Sequence, residues 1–182
     1  MLYTRKGDGG TTKTFGCNQR VSKSSAVTEA LGVLDECNSF LGVCKTNPDA
    51  KNRLFEKNSF ADTIDWMQQN LFIVQAHVAG SEKTFTQEKI TYMESAIDAI
   101  EKELPPIKTF FVPGGTSLAA QLDFARTLAR RAERRVVLVS EEQKEKVAPI
   151  ILVFLNRLSS LLYALTRFAN YKSGITETPP HY

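Results

Sequence analysis

The sequence predicts an all-α protein: five helical segments packed as an antiparallel bundle behind an irregular N-terminal loop. Two observations carry this reading. Apolar residues recur at helical spacing through five stretches bounded by Ser, Thr, Pro or Gly, and no region is strand-rich. The 182 residues suit a single domain large enough to bury a core without disulfides or metal. A chain that is 42% hydrophobic and 24% charged has the balance of a soluble globular protein.

The first helix is expected from about Ser24 to Lys45, with Ala30, Leu31, Leu34, Cys37, Leu41 and Cys44 on one face and Asn47-Pro48 as its stop. The second begins near Ser59, with Asp62 as an acidic cap partner three residues on, and runs to Gly80. The third starts at Thr86, carries Ile90, Met93, Ile97 and Ile100, and ends at Pro105-Pro106. Phe110 to Gly115 reads as an extended apolar piece entering a tight turn. Thr116 then caps a fourth helix to about Ser140. The fifth spans about Lys144 to Tyr171, with Pro149 tolerable only in its first turn. The single domain thus divides into a Gly- and Thr-rich loop (1–23), a bundle (24–171) and a loose tail (172–182).

Composition excludes several classes. Three cysteines with no CxxC argue against a disulfide framework or zinc site. On one helix Cys37 and Cys44 stand ~10.5 Å apart along the axis, too far to share an ion. His77 and His181 have no ligand partner in sequence, and His77 fits a core or edge position. Net charge is +3, too mild to imply nucleic acid, yet it leaves room for a local phosphate site. No export or organelle signal is visible, and the apolar runs look too short to span a membrane, which together point to the cytoplasm.

The sharpest pattern lies on the fourth helix. Arg126, Arg130, Glu133 and Arg134 fall at i, i+4, i+7 and i+8 and share one face, opposite the apolar stripe Leu122, Ala125, Ala129, Ala132 and Val136. Several guanidinium forks on one face suit a polyphosphate. The same residues also fit a solvated face of i,i+4 pairs. A nucleic-acid patch fits less well, because aromatics do not interleave. Asn156 and Arg157 interrupt a strongly apolar helix, so a polar partner is expected against them: a ligand, or Glu133 or Asp35 on another helix. Asp35 lies near the stripe of Leu31, Leu34 and Leu41 and calls for an arginine. The stretch Thr4-Arg5-Lys6-Gly7-Asp8-Gly9-Gly10-Thr11-Thr12-Lys13 offers free amides, hydroxyls and cations to a phosphate, although it is not a Walker A loop.

Together these pieces resemble one family. Tyr3-Thr4-Arg5, Gly7-Asp8, Gly10-Thr11-Thr12, Arg20-Val21-Ser22-Lys23, Leu34-Asp35-Glu36, Pro113-Gly114-Gly115, Arg130-Arg131-Ala132-Glu133-Arg134-Arg135 and Asn156-Arg157-Leu158-Ser159 are similar, in order and spacing, to the PduO-type cob(I)alamin adenosyltransferases. The resemblance covers about residues 3 to 171. It implies an enzyme that transfers the 5′-deoxyadenosyl group of ATP to cob(I)alamin, with magnesium on the triphosphate and no metal site of its own. It implies a homotrimer with active sites between subunits. Thr4, Arg5, Lys6, Gly7, Thr12 and Lys13 would fold over ATP, and Lys23 would reach the polyphosphate. Arg126, Arg130, Glu133, Arg134 and Asn156 would contact ATP. Asp35 and Arg126 would pair across the subunit boundary, and Phe110 would enter the corrinoid pocket. A cobalamin reductase and an adenosylcobalamin-dependent enzyme are the partners such a protein implies. Neither nucleic acid nor a membrane is among them.

The chain departs from the family pattern at four places. Ser160 stands at the corrinoid site where Asp is usual, Lys6 where Thr is common, Cys17-Asn18 in place of a Gly-type turn, and Cys37 in place of Leu. Ser160 keeps open a second reading, a corrinoid carrier of the same fold with little or no catalysis.

Overall fold

The computed structural model describes residues 3–15, 19–52, 54, 55, 58–143 and 147–182. In chain order the elements are β1 (Thr11–Lys13), β2 (Arg20–Ser22), α1 (Ala26–Thr46), α2 (Pro48–Asn52), β3 (Leu54–Phe55), β4 (Asn58–Ser59), α3 (Phe60–Val78), α4 (Gln87–Glu103), α5 (Ser117–Glu142) and α6 (Pro149–Lys172). The five long helices are the expected ones. The hairpins β1–β2 and β3–β4 are additions, with strands too short for an alternating pattern to register. The departure at Cys17-Asn18 lies outside the described residues.

Local chemistry sets the helix starts. Ser25 accepts from the Thr28 amide, and Thr116 accepts from Ala119 N–H at 3.1 Å. Ser59 and Asp62 form a reciprocal capping box, with Ser59 N–H donating to Asp62 Oδ2 at 2.9 Å and Asp62 N–H donating to Ser59 Oγ at 3.0 Å. These bonds, led by the one from the Ser59 hydroxyl, hold the Asp62 carboxyl below its ordinary range. The fifth long helix starts at Pro149 rather than Lys144; proline fits the first position, where no intrahelical donor is needed. His77 sits at the edge of the bundle and accepts the Ala148 N–H at 3.1 Å just before α6.

Side-chain pairs reveal the helix directions. Glu36 meets Arg131 and Glu29 meets Arg135, so α1 and α5 are antiparallel. Glu133 meets Asn156, and the Thr116 amide meets Asn170, so α5 and α6 are antiparallel. Lys45 pairs with Asp65 and Gln68 bonds the Asn38 carbonyl, giving the same sense for α1 and α3. Trp66 meets Tyr92, and Asn70 meets Lys89, for α3 and α4. The exception is α4 with α6: Glu94 pairs with Arg157 and Glu103 with Lys172, so these two run parallel. Five helices closed around one core cannot alternate throughout, and one parallel pair is the geometric consequence. Around the bundle the order is α1, α5, α6, α4, α3, which places α6 between α4 and α5.

The core is built from the predicted stripes. Leu34, Leu41, Met67, Leu122, Phe154 and Leu158 are fully buried, as are the small residues Ala125, Ala129 and Ala132 that let α5 pack closely. Cys37 and Cys44 are buried too. Burial first, and for Cys37 also the neighbouring Cys44, pushes both thiols up to about 12, so they pack as small apolar groups. By length and composition α6 is apolar enough to cross a membrane, contrary to the expectation that no run is. In the fold its apolar side chains, Ile151, Phe154, Leu158, Leu162 and Leu165 among them, are buried within the bundle, the place of a core helix.

The tail is another correction. Residues 173–178 are tied down rather than loose. Ile175 N–H donates to the Asn170 carbonyl at 3.0 Å, and Val112 N–H donates to the Thr178 carbonyl at 2.8 Å. Glu177 pairs with the buried Arg167 at 2.9 Å.

Candidate functional site

Two cavities adjoin on the α5–α6 side of the bundle. The smaller, about 380 Å³, is walled by Arg130, Glu133, Arg134, Val137 and Asn156. The larger, about 740 Å³, lies between α5, α6 and the connection from α4 to α5; Phe110, Phe111, Arg126, Ser160 and Tyr163 are among its walls. Arg130 lines both.

The arginine-rich face separates into two groups with different work. Arg131 and Arg135 pair with Glu36 and Glu29 and tie α5 to α1, as the solvated-pair reading expects. Among the described residues Arg130 and Arg134 have no ion-pair partner, and both face the smaller cavity. Two unpaired guanidinium forks beside one cavity favour an anion with several oxygens. Glu133 does not neutralise them by a direct bond; its Oε1 accepts from Asn156 Nδ2 at 3.0 Å. The expected partner of Asn156 is therefore Glu133. Its setting differs from expectation, because Asn156 is exposed at the cavity rather than buried. Arg157 is satisfied by Glu94 at 2.8 Å and by Asn156 Oδ1 at 2.9 Å.

Arg126 stands deeper. Its Nε donates to Asp123 Oδ1 at 2.6 Å, and its guanidinium lies 6.0 Å from the Tyr163 ring centroid. Asp123 is buried, so it needs this partner. Asp35 is exposed, and the arginine expected beside it is not found among the described residues. Burial foremost raises the Tyr163 phenol above its usual range, and it stays a neutral wall of the larger cavity.

Phe110 is 80% exposed and lines the larger cavity on its loop. The loop ends in a tight turn at Gly114 (φ 140°) and Gly115 (φ 96°). Asn170 clamps that turn. Its Nδ2 donates to the Gly114 carbonyl and its Oδ1 accepts from Thr116 N–H, both at 3.0 Å. A methyl at Gly115 would stand 2.2 Å from Asn170 Oδ1. Ser160 faces the same cavity, with only a long 3.4 Å bond to the Asn156 carbonyl.

The N-terminal loop is folded back on itself. Arg5 adopts φ 58°, and Asp8 and Gly10 close turns onto the Arg5 and Gly7 carbonyls. Arg20 holds the loop together, bonding Thr11 Oγ1 at 2.7 Å, the Thr11 carbonyl at 2.6 Å and the Lys6 carbonyl. Lys23 N–H donates to the Gly10 carbonyl, and its ammonium lies 3.2 Å from where a side chain on Gly7 would begin. Gly7 and Lys23 therefore meet, while Lys6 is held through its carbonyl by Arg20. Thr12 and Lys13 lie on β1, and Thr4 precedes the turn.

Sequence reasoning did not single out Asp123, Tyr163 and Asn170, which line the larger cavity. Asn170, polar in an apolar run, carried the same signal that singled out Asn156.

The fold and the site thus define a helical bundle with a cavity walled by two unpaired guanidiniums beside a wider one walled in part by aromatic side chains. Comparison with known proteins makes the class specific. The family model for cobalamin adenosyltransferase matches residues 2–169, and the chain belongs to that family. It is 40% identical over 169 residues to the corrinoid adenosyltransferase PduO of Citrobacter freundii, a match covering 91% of this chain and 49% of that protein. The chain thus spans about half the length of that relative. It is 36% identical to a corrinoid adenosyltransferase of Bacillus subtilis, over 96% of this chain and 89% of that one. Among solved structures, a phenylalanine-to-alanine variant of a PduO-type ATP:corrinoid adenosyltransferase from Lactobacillus reuteri, complexed with cobalamin and ATP, superposes with a TM-score of 0.91 at 30% identity over all of both chains.

Proposed function

We propose that the protein transfers the 5′-deoxyadenosyl group of ATP to cob(I)alamin, forming adenosylcobalamin and releasing triphosphate. One observation carries this: the cationic and aromatic cavities share Arg130, so an anionic ligand and a large flat one bound in them would meet.

Cobalt(I) supplies the electron pair for the new cobalt–carbon bond, and the C5′–oxygen bond breaks with its electrons leaving on triphosphate. No protein base is required, because the nucleophile carries its own lone pair. The protein positions the reactants and stabilises the charge of the leaving group. Arg130 and Arg134 suit the phosphate oxygens, with Glu133 and Asn156 toward the nucleoside. Thr4, Arg5, Lys6, Gly7, Thr12, Lys13 and Lys23 would close over ATP from the N-terminal loop. The free carboxylate of Asp35 is available to Arg126 of a neighbouring subunit in a homotrimer. Magnesium would ride on the triphosphate, whose oxygens suit it as ligands. The setting we infer is cytoplasmic, with a reductase and an adenosylcobalamin-dependent enzyme on either side of the reaction.

Phe110, exposed on the wall of the larger cavity, would shield bound cobalt from water and competing bases, which would ease reduction of cobalt(II). Phe110→Ala should depress turnover from cobalt(II) far more than turnover from pre-reduced cobalt(I); equal losses would remove that role. The first assay is an anoxic absorbance time course with cob(I)alamin, magnesium and ATP. Formation of the adenosylcobalamin spectrum only with protein and ATP is the expected result. Binding of both ligands without conversion would instead select the carrier reading, and Ser160→Asp would be the variant to examine.

A further inference from the structure

The loop that presents Phe110 is held from below by a part of the chain remote from it in sequence. Arg167 on α6 is 5% exposed, and three groups meet it. Its Nε donates to Glu177 Oε2 in the tail at 2.9 Å. Its Nη2 donates to the Pro105 carbonyl at 3.1 Å, where the loop leaves α4. Its guanidinium lies 5.3 Å from the ring centroid of Phe111, the residue after Phe110. A second tie sits just beyond, where Val112 N–H donates to the Thr178 carbonyl at 2.8 Å. Glu177 itself reaches the wall of the larger cavity. Phe110 makes no hydrogen bond or ring contact among the described residues. Its position is therefore set by its neighbours, and those neighbours are fastened to the tail.

We propose that the C-terminal tail is a strap that positions Phe110 in the corrinoid pocket, with Arg167 and Glu177 as its positioning residues. The inference rests on the reading of the larger cavity as that pocket. The Arg167–Glu177 pair is nearly enclosed, with side chains 6% and 17% exposed, so losing the carboxylate leaves a buried cation without its partner. The strap then loosens at Thr178, and with it the Val112 tether.

Full-length Glu177→Ala and Glu177→Gln test this, the second retaining an oxygen acceptor for Arg167. Hydrogen exchange of the ligand-free protein should speed up by about tenfold at the Val112 amide, the one in this loop bonded to the tail, in Glu177→Ala, the effect of losing one tether on a local opening, with α1 and α3 unchanged. Turnover is then measured from cob(II)alamin with reduced flavin as one-electron donor, and separately from pre-reduced cob(I)alamin. The ratio of the first to the second should drop roughly tenfold in Glu177→Ala, with KM for ATP within about twofold and partial recovery in Glu177→Gln. Unchanged exchange at the Val112 amide overturns the strap. Both turnovers falling in proportion to a lowered Tm would make the contact structural only and overturn its positioning role. Absence of any adenosylcobalamin with the unmutated protein overturns the functional reading and the assigned role of Phe110, while the exchange experiment still decides whether the tail holds the loop.

Discussion

Replacing Gly115 by alanine should be among the most damaging changes available at one methyl group. The new carbon would lie 2.2 Å from Asn170 Oδ1, 2.6 Å from its Cγ and 2.7 Å from its Nδ2. The backbone at φ 96° already disfavours any side chain, by about 1–2 kcal/mol. Relief requires the Asn170 amide to leave, which breaks its bonds to the Gly114 carbonyl and the Thr116 amide, at about 1 kcal/mol each or more where the orphaned group stays dry. The expected loss is therefore about 3–5 kcal/mol, a large share of the roughly 5–15 kcal/mol that holds a domain folded. Asn170→Ala alone should cost about 2–3 kcal/mol from the same two bonds. The double variant is the decisive comparison, because the three atoms nearest the methyl introduced by Gly115→Ala all belong to the amide that Asn170→Ala removes. Its loss should stay near that of Gly115→Ala alone, well short of the sum. Urea unfolding followed by circular dichroism, at one fixed protein concentration, yields the cycle. Additivity within about 0.5 kcal/mol would refute the clamp.

Other expectations follow from the site and its surroundings. Arg130→Ala should weaken ATP binding by about 1.5–3 kcal/mol, roughly 10- to 150-fold by calorimetry, because a charged donor is lost. Arg131→Ala, whose partner is Glu36 at the surface, should leave ATP affinity unchanged and cost under about 1 kcal/mol of stability. The Asp62 carboxyl is held below its unfolded value of about 3.9, so its stabilisation is present above that pH and is lost as pH falls through the lower folded value. Asp62→Asn should therefore flatten the acid limb of a urea midpoint profile taken from neutral pH downward; an unchanged limb would rule the capping box out as its source. Cys37 and Cys44, with thiols pushed up to about 12, should resist alkylation at mildly alkaline pH in the native protein and react after unfolding. Mass mapping of the labelled peptides distinguishes the two states.

What could be read from sequence follows the range of the forces involved. Ser25, Ser59 and Thr116 bond amides within one turn of themselves, so the helix starts were visible in their own neighbourhood. The arginine face of α5 was equally plain, since helical period alone brings Arg130 and Arg134 together. Which arginines were already committed was not: Arg131 and Arg135 are taken up by carboxylates on α1, roughly a hundred positions away. Asn156 looked buried because its neighbours in sequence are apolar, yet it opens onto a cavity that only the packing of α5 and α6 creates. The tail looked loose because it has no periodicity; its order depends on Arg167 and on a loop on the other side of α5 in sequence.

The parity of the bundle has a consequence for how this site can change over time. Because α6 stands between α4 and α5, the chain leaving α4 must pass over the end of α6 to begin α5. Two interaxial steps of 8–10 Å require about six extended residues at the least. Leu104 to Thr116 exceeds that minimum, and Phe110 sits in the surplus. The crossing is compulsory, whereas the slack within it is not. Deletions would reach a limit at which the helices could no longer be joined, while insertions would only lengthen the arch above the cavity. The wall of the larger cavity can thus be lengthened without renegotiating the bundle, provided the ties to Arg167, Thr178 and Asn170 are kept.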